Sequence, residues 1–130
     1  MNVPDSIRIW TEQAQYDLGT AQAMMRSRRY LYVLFCCQQA VEKTLKAIIV
    51  QTTGDFPPRV HQLMRLVEAA KLQPAEDEAD FLRELSAYYI QTRYPEEIRD
   101  LASHTTHEAA VRILHKTKET IRWLESMLRR

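Results

Sequence analysis

The sequence predicts an all-α fold, an up-and-down bundle of four or five helices whose first two members are long and antiparallel. Three observations predict it. Only two of the 130 residues are glycine, too few for the many tight turns of a β-sandwich or barrel. Ala, Leu, Glu, Gln, Lys and Arg, all good helix formers, dominate the composition. Apolar residues also recur at steps of three and four along most of the chain, which is the period of one helical face. The length suits a single domain over residues 1–130 with one core.

The first helix is expected over about residues 5–28, with Asp5 as N-cap and Ile7, Trp10, Ala14, Leu18, Ala21 and Met25 on its apolar face. Gly19 lies inside this pattern, at a cost of about 1 kcal/mol relative to Ala, and would admit a close helix contact. The second helix, about residues 31–53, ends at Gly54 as C-cap and is apolar around most of its circumference. Such a helix belongs at the centre of a bundle. It keeps one polar stripe, Gln39, Glu42, Lys43 and Lys46.

Pro57 and Pro58 stiffen the loop over residues 55–60. A short third helix follows over about 61–72, with Leu63, Leu66, Val67 and Ala70 inward, and a fourth over about 75–91, with Phe81, Leu82, Leu85, Tyr88 and Tyr89 apolar. Pro95 reads as a breaker, so residues 92–97 are expected to be extended and 97–105 a loop or a frayed turn. Thr105-x-x-Glu108 reads as a capping box opening the last helix, which shows one face of Ala110, Leu114, Thr117, Ile121, Leu124 and Leu128.

Formal net charge is +1, which argues against a broad basic nucleic-acid surface while leaving room for a local patch. The start, Met-Asn-Val-Pro, does not resemble a secretory signal. The longest near-apolar run, residues 30–37, is far below the roughly 20 residues a membrane span needs, so a cytoplasmic protein without membrane contact is expected. Cys36 and Cys37 are adjacent. A disulfide between them would be strained in a helix, and two thiols cannot supply a four-ligand zinc site, so they read as reduced and buried. No dinucleotide, phosphate-loop or serine-elbow motif is present, and no cofactor or metal is expected.

The second helix contains Gln38-Gln39-Ala40-Val41-Glu42-Lys43-Thr44-Leu45-Lys46-Ala47, which resembles the Q-Q-A-x-E-K-x-L-K-A stretch of HEPN domain proteins. Other features fall in that family's order: Ala14-x-x-Asp17-Leu18-x-x-Ala21, Pro58-x-x-His61-x-Leu63, and Tyr88-Tyr89-Ile90-x-x-Arg93-Tyr94-Pro95. The resemblance covers nearly the whole chain. It implies a helical bundle that forms a homodimer and often pairs with a nucleotidyltransferase, as in toxin–antitoxin modules. Some branches are metal-independent endoribonucleases with an Arg-x4-6-His motif, and others bind nucleotides or support a partner.

Two constellations carry candidate chemistry. Arg99 and His104 satisfy Arg-x4-His, where the histidine would move a proton and the arginine would stabilise charge on a phosphate. They fall in the expected loop, and Thr106 stands where the family often has tyrosine, so a solvated loop is the competing reading. The second constellation is Gln39, Glu42, Lys43 and Lys46 with Tyr89, Arg93 and Tyr94. Its cations suit phosphate and its tyrosines suit a base, and an internal ion-pair network centred on Glu42 is the competing reading. His61, beside Arg59, reads as a capping or loop-ordering residue, and His107 and His115 as surface residues. The acidic cluster Glu76, Asp77, Glu78 and Asp80 reads as charge at a helix start. The favoured reading is a non-catalytic dimeric module that binds a nucleotide, RNA or a nucleotidyltransferase. The alternative is an endoribonuclease using Arg99 and His104. Val3, Met24, Met25 and a second apolar face of the central helix are the candidate dimer surface.

Overall fold

The computed structural model describes residues 2–129, and every regular element among them is helical. The order is α1 (Val3–Arg26), α2 (Tyr30–Thr53), α3 (Leu63–Ala69), α4 (Glu76–Ser86), α5 (Pro95–His104) and α6 (His107–Glu125). The three residues between α1 and α2 force an antiparallel hairpin. Tyr30 at the start of α2 meets His107 at the start of α6, ring edge to ring face at 5.4 Å. Gln51 near the end of α2 donates to the carbonyl of Met127 beyond α6. Hence α2 and α6 run parallel, and α1 opposes both.

α2 is the axis of the domain. It packs against all five other helices. Val33, Leu34, Cys37, Ala40, Val41 and Leu45 are wholly buried there. They join Ala21 of α1, Leu63 and Leu66 of α3, Leu82 and Leu85 of α4, and Ile113 and Leu124 of α6 in one apolar cluster. The expected inward face of the third helix is the observed one; on the fourth, Phe81, Leu82 and Leu85 are buried, and on the last, Ala110, Thr117, Ile121 and Leu124, with Leu114 and Leu128 only partly so. Much of the apolar circumference of α2 is covered within the chain, and Met24 and Met25 lean on the same cluster. What stays exposed is a scatter that includes Val3, Tyr16, Tyr32, Phe56 and Val111.

Several boundaries differ from expectation for local reasons. α1 begins two residues earlier than expected because the Asn2 side chain accepts from the Asp5 amide at 2.9 Å, leaving Asp5 in the first turn. α6 is capped by Thr106, which accepts from the Ala109 amide. Thr105 instead closes α5, its hydroxyl donating to the Leu101 carbonyl, so the expected capping box is not made. α4 stops at Ser86, and Tyr88 and Tyr89 sit in the turn after it, where the Arg93 guanidinium occupies the Ala87 carbonyl at 2.8 Å. α1 and α3 end at the left-handed residues Arg28 (φ 62°) and Lys71 (φ 59°), with the Arg29 and Leu72 amides reaching back to Met24 and Val67. Gly54, at φ 72°, ends α2 as expected.

The largest correction is α5. Pro95 does not break a helix there; it starts one. It occupies the first turn, where a missing N–H costs nothing, and the Glu97 carboxylate accepts from the Tyr94 amide at 3.2 Å. No α5 residue is fully buried, and of the other helices only α2 lies against it. Gly19 also departs from expectation: a Cβ built there meets nothing within 4 Å, so it admits no close helix contact.

Candidate functional site

The polar residues of α2 divide between two faces. Gln38, Glu42 and Lys46 follow one another at steps of four and so stack on one side of the helix. The Lys46 ammonium lies 3.0 Å from Glu42, and their side chains are only 8% and 5% exposed, so each charge depends on the other for compensation. The Gln38 amide donates to Glu42 at 3.1 Å and to the His61 carbonyl at 3.1 Å. Lys43 points elsewhere: its ammonium lies 2.7 Å from Asp17 of α1. The stripe expected to act as one surface is thus split, with Lys43 tying α2 to α1.

The side chain that completes the Glu42 cluster is His61, from the loop before α3. Its Nδ1 lies 3.1 Å from both carboxylate oxygens of Glu42. A carboxylate only accepts, so Nδ1 carries a proton and donates to Glu42, and Nε2 has no partner among the described residues. The His61 ring stacks on Tyr89, with centroids 4.0 Å apart and planes 10° from parallel. The loop is held at its backbone as well, by Gln38 on the His61 carbonyl and by the Ser86 hydroxyl, which accepts from the Leu63 amide at 2.9 Å. Backbone and ring edge of His61 are therefore fixed by α2, and its ring face by the turn after α4. Burial, and then the negative charge of Glu42, raise the pKa of the Tyr89 phenol, so it stays neutral well above physiological pH.

Two clefts meet at His61. One, with a volume of about 490 Å³, runs along Ser86, Ala87, Tyr89 and Thr92 to Arg83 and Arg93. The other, about 480 Å³, is walled by Trp10, Lys46, Phe56, Pro57, Pro58 and Arg59. Both fall within the roughly 300–1,000 Å³ of small-ligand sites. Glu42, Lys46, Tyr89 and Arg93 of the second sequence constellation thus gather around His61. Arg93 is paired with Glu97 at 3.3 Å rather than with Glu42. Tyr94 is 73% exposed. The Gln39 side-chain oxygen is buried without a hydrogen-bond partner among the described residues.

Arg99 and His104 lie on α5 rather than in a loop. Five residues apart on a helix, they point about 140° away from each other. Both are exposed, His104 at 76% of its side chain, and its Nδ1 is engaged by the Asp100 carbonyl at 2.8 Å. Within one chain they form no common site. The first turn of α4 holds Glu76, Asp77 and Glu78 at its positive end, as expected of such charges. Among the described residues no three His, Cys, Asp or Glu side chains converge in a way that could hold a metal ion. No described helix is long and apolar enough to cross a membrane.

His61 and Gln38 are the residues that pattern reading passed over as site members. Gln38 carried a usable signal, the i, i+4, i+8 spacing with Glu42 and Lys46. His61 carried its place after a stiff Pro-Pro loop and in the Pro58-x-x-His61-x-Leu63 stretch.

Fold and site together describe an all-helical domain built on one buried, charge-bearing central helix. The HEPN domain family model matches residues 7–127, and the chain belongs to that family. The crystal structure of TT1696 from Thermus thermophilus superposes with a TM-score of 0.80 at 29% identity, over 98% of this chain and 100% of that one. ST0689, described as an archaeal HEPN homologue, superposes with a TM-score of 0.75 at 21% identity, over 95% and 98% of the two chains. No curated protein matches the sequence.

Proposed function

We propose that this HEPN domain works as a homodimeric module that recognises a nucleotide or RNA, or a nucleotidyltransferase partner in a toxin–antitoxin-like pair, through the clefts around His61. The observation that carries this reading is the way Glu42, Lys46, Gln38 and Tyr89 immobilise His61 while leaving Nε2 without a partner among the described residues. A buried ion pair that only filled space would not need an imidazole presented between two clefts. The test has two arms. Calorimetric titration with nucleotides should show binding that is lost in Glu42→Gln. Sedimentation at micromolar concentration should show a dimer, and a monomer would remove that part of the reading.

One observation favours a second reading, a metal-independent endoribonuclease toxin using Arg99 and His104. The pair stands on a helix, which gives the support that loop residues would lack. Dimerisation through α5 could bring Arg99 of one copy to His104 of the other. Expression toxicity and RNA cleavage abolished by both Arg99→Ala and His104→Ala, with folding intact, would establish it. The module reading expects neither variant to change anything.

A further inference from the structure

We propose that the cleft between α1 and the 56–61 loop seats a nucleoside monophosphate, its base against Trp10 and Phe56 and its phosphate against Arg59 and His61 Nε2. This rests on the module reading above and assigns the ligand, the cleft and the orientation.

Charge decides between the two clefts. On the α4–α5 side, Arg83 is already paired with Asp80 at 3.0 Å and Arg93 with Glu97, so an incoming anion would compete with a carboxylate for each. On the α1 side, no carboxylate among the described residues lies within 4.0 Å of Arg59, and none of them lines the cleft. Lys46 lines it too, with its charge matched by Glu42. The positive charge available to a ligand is therefore Arg59. A phosphomonoester carries about −1.5 to −2, of which Arg59 offsets at least half. A triphosphate would bring charge that nothing in the cleft offsets.

The apolar wall suits a base. Phe56 is 84% exposed, an uncommon position for a phenyl ring, and it sits on a loop stiffened by Pro57 and Pro58. Its backbone is also pinned, since its amide donates to the Asp55 carboxylate at 2.7 Å. Trp10 is half-buried, with the Lys46 ammonium 5.5 Å from the ring centre. Stacking on such rings typically contributes about 1–3 kcal/mol per base and tolerates any base.

His61 stands between the two clefts. It is faced by Glu42 and Lys46 from α2, by Tyr89 from the turn after α4, and by Arg59 from its own loop; Arg83, Arg93 and Glu97 line the far cleft.

Calorimetric titration with AMP and UMP tests the assignment, with adenosine and ribose 5-phosphate as half-ligands. Both nucleotides should bind, and each half-ligand should bind at least about tenfold more weakly. Arg59→Ala and Phe56→Ser, both at exposed positions that carry no core packing, should each weaken AMP at least about tenfold. AMP binding that survives Arg59→Ala and Phe56→Ser but is lost in Arg83→Ala would overturn this cleft while leaving the module reading intact. Absence of binding by every nucleotide to folded protein would overturn this assignment and the nucleotide-binding part of the module reading.

Discussion

One nitrogen of His61 sits midway between the two carboxylate oxygens of Glu42, 3.1 Å from each, and so fastens a loop to the central helix. The same carboxylate compensates Lys46, so its removal strands a cation that is almost fully buried. Glu42→Ala should cost about 3–5 kcal/mol by urea denaturation. Glu42→Met combined with Lys46→Met should recover most of that loss, because no charge is then left alone. A loss below about 1 kcal/mol for the single variant would mean that water reaches the pair.

Arg93 should matter less for stability than a buried pair would. Its side chain is 31% exposed, it meets Glu97 at 3.3 Å, and it donates to the Ala87 carbonyl. Arg93→Ala is expected to cost about 1 kcal/mol, read as a lowered urea midpoint. Arg93→Lys should restore little, because an ammonium cannot span a carbonyl and a carboxylate as the planar fork does. A cost above about 3 kcal/mol would show a role for Arg93 in the core.

Gly19 offers a stabilising substitution. It is in the interior of α1, exposed, and nothing would touch an added methyl group. Gly19→Ala should raise stability by about 1 kcal/mol through backbone entropy alone. A decrease would reveal a neighbour at this position, such as a second copy of the chain.

The domain should weaken in alkali. Burial, and then the nearby Asp17 carboxylate, push the Cys36 thiol up to about 11, while burial pushes Cys37 up to about 12 and raises Tyr88 and Tyr89. A folded pKa above the unfolded one means that the fold prefers the protonated form. This stability is complete below the ordinary thiol value of 9.0 and is lost as pH rises through 11 and 12. The urea midpoint should therefore fall between about pH 8 and about pH 10.5, and fall less when both cysteines are alanine. An equal fall in that double variant would assign the effect to the tyrosines.

The parts of the fold legible in sequence were those governed by burial. α2 showed its central place because its apolar residues surround it, and α3, α4 and α6 showed their inward faces by spacing. α5 was illegible because proline is ambiguous: it can stop a helix or occupy the first turn of one, and at Pro95 the outcome depends on the Glu97 carboxylate reaching the Tyr94 amide. Of the candidate site, the part lying on α2 was visible as charge on an apolar helix. Its division into a Glu42 face and a Lys43 face was not, because Asp17 and His61, the residues that pull them apart, are distant in sequence. Pairing across helices leaves no local signature.

α5 carries no buried side chain and leans on α2 alone, so it has little free energy holding it closed. Segments of that kind open on their own, far more often than the domain unfolds. A protease should therefore cut first between Pro95 and His104. α6 would stay in place after such a cut, gripped by packing on α2. The nicked molecule would keep Glu42, His61 and the cleft between α1 and the 56–61 loop while losing the continuity of the helix that bears Glu97, Arg99 and His104. A single proteolytic cut thus separates the two candidate chemistries of this chain without a mutation, and whichever activity survives it identifies the part of the molecule responsible.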